Sequence, residues 1–264
     1  METTFNFTDY SELTANTGVV SISTANSNLD GSGSTTLVLT GNSEGTIVNS
    51  LIIKATQATT QGMIRFFIKN SGGTQLLMEV PVPATTPTAV QPSFETRVSC
   101  DLNLANLNQL LVSTENAESF TIIAEGIDWH YPDTPSCCDH MKRRANNGFN
   151  DVNTGNSNLD GTGAIVDILT AGNNGTSLQS IFVKGQSNTT EGMVRLFISN
   201  DGGTTYYLFT EISIPANRQT GVVPSTINWT QNYNLILQNS YIIAASTENT
   251  ETFSIMINSL DWTY

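Results

Sequence analysis

Charged residues are scarce in this sequence, making up 12% of its 264 residues, about half of the usual share. Ten are basic and 23 are acidic, which gives a formal net charge of −13. Because binding to a phosphate backbone needs clustered Lys and Arg, we expect no nucleic-acid partner. Long hydrophobic runs are missing too, since no stretch approaches the roughly 20 apolar residues that span a bilayer. We therefore expect no membrane partner and, from the polar first residues, no cleaved signal peptide.

Cysteine and histidine are also rare. Three cysteines cannot all pair, and Cys137 and Cys138 are adjacent, so we expect a reducing site of synthesis rather than a disulfide scaffold. Zinc is not expected at these cysteines, because a second ligand pair at the usual spacing is missing. The two histidines, His130 and His140, both lie near the middle of the chain. A histidine-based catalytic triad is therefore not expected.

Asn and Thr are abundant and together make up about a quarter of the chain. Their side chains compete with the backbone for hydrogen bonds, which disfavours long helices and suits strands and turns. Each half of the chain has short runs separated by turn residues, and the first half has eight of them, rich in Val, Ile, Phe and Thr and separated by Gly, Asn or Pro, as is typical of strands. In the first half these runs are residues 19–23, 37–40, 47–55, 63–69, 75–82, 94–102, 109–113 and 120–129.

A duplication organises the chain. Residues 26–31, 59–68, 72–74, 113–116 and 128–131 recur in the same order as residues 156–161, 189–198, 202–204, 246–249 and 261–264. The period is too long for a solenoid repeat, so we predict a duplicated domain. The predicted division is an arm at 1–17, a first domain at 18–131, a linker at 132–147 and a second domain at 148–264.

The predicted fold class is all-β, with two tandem homologous β-sandwich domains. Eight strands per domain is the number found in a jelly roll. An immunoglobulin-like sandwich would need about seven and a Cys–Trp–Cys pattern, which this sequence lacks.

Two opposite-charge pairs are predicted across hairpins. Strand pairing around the glycine-rich turn of the first domain places Arg65 near Glu79 and Phe67 near Leu77. The same alignment in the second domain places Arg195 near Glu211. We interpret both as cross-strand ion pairs, which are modestly stabilising, with an Arg that reaches a partner chain as the alternative.

Two repeated motifs that contain carboxylates could take part in catalysis or in metal binding. Glu115 and Glu118, repeated as Glu248 and Glu251, could suggest the paired carboxylates of glycoside hydrolysis. Their position around an Asn between two apolar strands favours a solvated hairpin tip. The motif at 26–31 and 156–161 partly resembles a calcium loop. An Asx turn is favoured there, and weak calcium binding stays open as the alternative.

Segments outside the repeat supply the candidate interface residues. The N-terminal arm carries aromatic residues among polar ones, and the linker carries a short basic run, which could contact another subunit or another copy of this acidic chain. These candidates are Phe5, Phe7, Tyr10, Lys142, Arg143 and Arg144.

The repeated motifs resemble virion structural proteins of tailed phages, those of crAss-like phages infecting Bacteroidota in particular. The motifs are Asn-Ser-Asn-Leu-Asp-Gly-x-Gly, Thr-Thr-x-Gly-Met-x-Arg-x-Phe-Ile, Ser-Thr-Glu-Asn-x-Glu-x-Phe and a terminal Asp-Trp-x-Tyr, across residues 15–131 and 147–264. The heads of these phages carry auxiliary or fibre proteins beside the major capsid protein. The resemblance implies β-sandwich modules assembled in many copies on the capsid surface, and it implies no active site.

The predicted function is that of a non-enzymatic phage virion structural protein, an auxiliary or decoration protein of the capsid surface. We expect synthesis in the host cytoplasm, no cofactor, and as partners the major capsid protein, other virion proteins and further copies of the chain in a homo-oligomer such as a trimer. One alternative is a carbohydrate-binding jelly-roll module using Trp229, with Trp129 and Trp262 in the core. Another is a double-jelly-roll major capsid protein.

Overall fold

A computed structural model describes residues 12–130, 142–218 and 227–263. All of its named elements are strands, nine in each half of the chain. Those of the first domain are β1 Glu12–Ala15, β2 Gly18–Ile22, β3 Thr36–Thr40, β4 Thr46–Ala55, β5 Gly62–Asn70, β6 Gly73–Val82, β7 Glu95–Leu104, β8 Gln109–Thr114 and β9 Phe120–His130. Those of the second are β10 Lys142–Ala145, β11 Gly148–Val152, β12 Val166–Thr170, β13 Thr176–Gly185, β14 Gly192–Ser199, β15 Tyr207–Ile214, β16 Asn228–Leu237, β17 Ile242–Thr247 and β18 Phe253–Thr263. Across the described ranges there is no helix that could cross a membrane.

The strands of each domain form two antiparallel sheets. In the first domain, β1 and β2 pair one after the other along one edge of β9 in sheet I, and β4 and β7 follow on the other side of β9. Sheet II runs β3–β8–β5–β6. Strand β2 therefore pairs with β9, β3 with β8, β4 with β7 and β5 with β6. This nested pairing is that of a jelly roll.

The second domain repeats the same order. Sheet III has β10 and β11 on β18, followed by β13 and β16, and sheet IV runs β12–β17–β14–β15. Even the backbone irregularities recur: the pairing of β4 shifts between Val48 and Ser50, and that of β13 between Leu178 and Ser180. The prediction of an all-β chain with two homologous jelly rolls is confirmed.

The predicted strands of the first domain fall on β2 to β9, with ends that differ by no more than two residues. Two strands lie outside the predicted domain boundaries, β1 inside the arm and β10 inside the linker. Strand β1 pairs with the end of β9, and β10 with the end of β18. Strands β2 and β11 pair only with the first part of β9 and β18. The backbone groups along the rest of that edge need hydrogen-bond partners, and the short strands β1 and β10 supply them.

The hydrophobic cores of the two domains are not separate. The apolar cluster of the second domain includes Val19, Ile52 and Ile123, which belong to sheet I of the first. The last six residues of β4 are all buried, because this strand is covered on both faces. The inner face packs in the first domain, and the outer face packs against the second.

Replacing Ile123 by Ala should destabilise the protein by about 2–5 kcal/mol, since a fully buried side chain is lost at the domain contact. The matched control is Met256→Ala, because Met256 holds the equivalent position of the second domain and is exposed. That change should alter the free energy of unfolding by less than about 1 kcal/mol. Chemical denaturation measures both, and equal losses would contradict a one-sided domain contact.

Candidate functional site between the two domains

An apolar row crosses the outer face of sheet I. Val19 on β2 lies opposite Ile123 on β9, which lies opposite Ile52 on β4. We call these three residues the covered row, because strands β15 and β16 of the second domain lie against this face. The Asn200 amide of the second domain also donates a hydrogen bond to the Val19 carbonyl oxygen at 3.0 Å.

A buried lysine lies beside the covered row. Lys54 follows Ile52 by two residues, so both side chains point to the same face of β4. The Lys54 side chain has no exposed surface, and its Nζ lies 3.2 Å from Oε2 of Glu211 and 3.4 Å from Oε2 of Glu95. Its third neighbour is the Ser93 carbonyl oxygen at 3.2 Å. A buried ammonium group is tolerated only with partners of this kind, so Lys54 fixes the position of Glu211 and thereby of the second domain.

Glu211 contacts a positively charged side chain of each domain. Its Oε2 accepts hydrogen bonds from the backbone N–H and the hydroxyl of Ser93, both at 2.8 Å, and its Oε1 lies 3.1 Å from Nε of Arg195. Burial alone would raise the pKa of Glu211, but Lys54, Ser93 and Arg195 together hold it below its ordinary value. Glu211 is therefore an ionised bridge between a cation of each domain.

The predicted charge pairs are confirmed. Arg65 lies opposite Glu79 with Nε 2.9 Å from Oε1, and Arg195 lies opposite Glu211. A bulge changes the neighbouring pair, so that Phe67 faces Leu76 instead of the predicted Leu77.

Two further polar contacts join the domains at the start of β2. The Thr17 hydroxyl donates to the Ile236 carbonyl oxygen, and the Tyr241 hydroxyl donates to the Thr17 carbonyl oxygen. Burial is the main reason why the pKa of Tyr241 is raised to about 12, so this phenol stays protonated and remains a donor.

Glu125 is a second buried carboxylate on the same face. Burial raises its pKa, and hydrogen bonds from the Ser50 hydroxyl and the Arg97 guanidinium offset only part of that effect. A raised pKa can mark a catalytic carboxyl. Glu125, however, is buried, its two partners both contact Oε2 while Oε1 has no hydrogen-bond partner among the described residues, and it lines none of the described cavities.

A cleft of about 490 Å³ opens beside the Lys54–Glu211 pair. Its walls include Trp229 and Gln231 of β16 and Glu95 of β7. Trp229 is half-buried, and Tyr233, which lies deeper, packs on Phe209 with ring centroids 5.1 Å apart. An aromatic face beside amide and carboxylate groups can stack on and hydrogen-bond to a polar ring, and the volume suits a small ligand.

The candidate interface residues lie away from this cleft or outside the described part of the chain. The aromatic candidates fall in residues 1–11 of the arm, which lie outside the described residues, as do Cys137 and Cys138. The basic candidates fall in β10, where their backbone pairs with residues 261–263 of β18. Of their side chains only that of Arg144 is described, and it is exposed. The residues concerned are Phe5, Phe7, Tyr10, Lys142, Arg143 and Arg144.

The prediction of a solvated tip for the repeated acidic motifs was wrong for Glu118. Glu118 is buried and accepts hydrogen bonds from the backbone N–H and hydroxyl of Thr60, because its loop folds back on the loop before β5. Glu115 lies 3.3 Å from Nη2 of Arg65. Glu251 holds Thr190 in the same way as Glu118 holds Thr60. Glu118 and Glu251 thus fasten one loop to another, and Glu115 fastens its loop to the sheet.

The motif at 26–31 forms the predicted Asx turn. The Asn28 N–H donates to Oδ1 of Asn26 at 3.1 Å, and the Ser32 N–H donates to Oδ1 of Asp30 at 2.9 Å. Gly31 between them has a φ of 75°, which favours glycine. Within the described ranges no group of three His, Cys, Asp or Glu residues could hold a metal ion.

Comparisons with known proteins find solved structures that are similar to this chain only at low TM-scores and low sequence identities. No family model and no curated protein matches the sequence. The major capsid protein P2 of bacteriophage PM2 has a TM-score of 0.27 at 11% identity, over 94% of this chain and 98% of that one. The major capsid protein of Sulfolobus turreted icosahedral virus has 0.27 at 12%, over 96% of each chain. The CBM22 tandem domain of Paenibacillus barcinonensis Xyn10C has 0.24 at 11%, over 94% and 92%.

Replacing Lys54 by Met should destabilise the protein by about 3–5 kcal/mol, because it leaves Glu211 buried without its partner in the other domain. Lys184 holds the equivalent position of β13 and is exposed, so Lys184→Met is the matched control and should cost less than about 1 kcal/mol. Chemical denaturation at neutral pH measures both changes.

The effect of Lys54→Met should also depend on pH. The pKa of Glu211 is lowered from 4.5, so the stabilisation that it provides is complete above pH 4.5 and is lost as the pH falls through the lowered pKa. The difference between wild type and variant should therefore shrink on acidification below pH 4.5. A difference that stays constant would mean that Lys54 acts by packing alone.

Proposed function

We propose that this protein is a non-enzymatic structural component of a bacteriophage virion, an auxiliary or decoration protein on the capsid surface. The observation that carries the proposal is the domain contact. The covered row and the Lys54–Glu211 pair fix two jelly rolls to each other in one block. A block of this kind presents its outer surfaces at a fixed spacing, which a symmetric assembly requires.

The buried charged groups support a structural role. Each buried carboxylate described above contacts a cation, a hydroxyl or a backbone N–H that belongs to the fold. These charges therefore hold strands, loops and domains together. The resemblance of the repeated motifs to tailed-phage virion proteins supplies the particular assembly.

The experiment is to purify particles of a phage that encodes this chain and to quantify its proteins by mass spectrometry. We expect the chain at a fixed ratio to the major capsid protein and accessible to antibody on intact heads. Its absence from gradient-purified particles, while it is present in the lysate, would contradict the proposal. If it were instead the most abundant shell protein, the alternative of a double-jelly-roll major capsid protein would replace it.

Removing residues 1–11 deletes Phe5, Phe7 and Tyr10 and retains every described strand, the first of which begins at Glu12. If Phe5, Phe7 and Tyr10 bind neighbouring virion proteins, the shortened chain should keep its thermal stability and lose its place on the capsid. Unchanged incorporation would remove the arm from the interface.

A second candidate function is carbohydrate binding, which the cleft beside Trp229 favours. A half-buried aromatic ring that lines a cleft next to Gln231 and Glu95 is an arrangement that stacks on sugars and bonds to their hydroxyl groups. Binding on a glycan array should then be lost in Trp229→Ala. Thr96→Ala is the matched control, because Thr96 holds the equivalent position in β7. An array without any signal, or binding that survives the loss of Trp229, would reject this candidate.

A further inference from the structure

The second domain carries a copy of the covered row that is open. On the outer face of sheet III, Phe149 of β11 lies opposite Met256 of β18, which lies opposite Phe182 of β13. We call these three residues the open row, and they occupy the register positions that the covered row occupies in sheet I. Phe149 is 79% exposed and Met256 is 45% exposed, whereas the covered row is exposed by 3% at most. Large apolar side chains side by side on a surface mark an interaction site.

The lysine beside the covered row is duplicated as well. Lys184 lies on the outer face of β13, two residues after Phe182, as Lys54 lies two residues after Ile52 on β4. Lys54 is fully buried against the second domain, whereas Lys184 is exposed. Sheet III thus repeats both parts of the domain contact, the apolar row and the cation.

The first domain carries a copy of the element that covers sheet I. Strand β6 holds in sheet II the edge position that β15 holds in sheet IV. Leu77 lies at the bulge of β6 as Phe209 lies at the bulge of β15. Phe209 is buried and Leu77 is exposed. Glu79 matches Glu211, and its side chain is 39% exposed where that of Glu211 is 2% exposed.

We propose that the open row of one copy of this chain binds the β6 edge of a second copy, repeating between chains the contact that the two domains make within one. Leu77 and its neighbour Leu76 would then pack on the open row. Glu79 would approach Lys184 as Glu211 approaches Lys54. The contact is head-to-tail, because the binding face and the binding edge lie in different domains.

The sizes of the side chains agree with such a contact. From the covered row to the open row, Val19 is replaced by Phe149 and Ile52 by Phe182, so the face gains volume. On the opposing edge Phe209 is replaced by the smaller Leu77. Well-packed apolar contacts tolerate exchanges that conserve total volume, and a larger face opposite a smaller edge does so.

The head-to-tail contact does not require a virion, since it involves only a face and an edge of this chain. A head-to-tail contact leaves one face and one edge free in every open oligomer, so it either closes into a ring or grows into a filament. The contact within the chain is also helped by the covalent connection of its domains, whereas the contact between chains is not. We therefore expect association that rises with concentration.

The test uses light scattering after size-exclusion chromatography on the full chain. Phe149→Asp disables the face, Leu77→Asp disables the edge, and Leu107→Asp alters an exposed leucine that lies in neither. We expect wild type and Leu107→Asp to associate, and the first two variants to be folded monomers by circular dichroism. An equimolar mixture of these two variants retains one intact face and one intact edge, so it should form a dimer and nothing larger.

Three results would overturn the inference. The first is a wild-type chain that stays monomeric up to its solubility limit. The second is association that survives both Phe149→Asp and Leu77→Asp, which would place the contact elsewhere. The third is loss of association in only one of the two variants. In a symmetric dimer the open row of one copy would bind the open row of the other, so a change at the β6 edge would have no effect. A monomeric wild type found on purified capsids would leave the proposed virion role standing without the head-to-tail contact.

Discussion

The ion pair between Lys54 and Glu211 determines how the two domains of this chain meet. A buried ammonium group must find carboxylate and carbonyl partners at hydrogen-bond distance, or its burial costs more than the apolar contact around it supplies. Lys54 has these partners only when Glu211 of the second domain and Ser93 of the first converge on it. The covered row contributes favourable burial in many orientations, whereas the ion pair accepts one. The apolar row thus stabilises the contact by burial, and the charges select its arrangement.

Duplication has preserved the framework of the domain and altered its outer faces. The nested strand pairing and the bulges coincide in the two copies, because each change there would disturb several strands at once. The outer face of a sheet is free of that constraint, so one register position holds the buried Ile123 in one copy and the exposed Met256 in the other. The two domains are therefore equivalent in fold and different in what they can contact.

Patterns of neighbouring residues predicted the fold, whereas contacts between residues distant in sequence could not be predicted from such patterns. The runs that became β2 to β9 alternate with turn residues, and the Arg65–Glu79 pair lies within one hairpin, so both follow from neighbours along the chain. Strands β1 and β10 are short and polar, and they exist only because a long final strand offers its edge. Glu118 was predicted to be solvated because its own segment does not reveal the loop that covers it. The role of Lys54 depends on a carboxylate in the other domain, although a lysine within an apolar strand, repeated at Lys184, was a usable signal.

The distribution of charge links the interior of this protein to its surface. Four of its 10 basic residues, Lys54, Arg65, Arg97 and Arg195, hold carboxylates within the described fold. These four positive charges are thus used for internal contacts, and the surface retains much of the net charge of −13. Two such copies repel each other at a distance, although salt at 0.1 M screens that repulsion beyond about 10 Å. Any contact between copies must therefore draw on short-range burial, which the open row offers, with local pairing of opposite charges deciding its register.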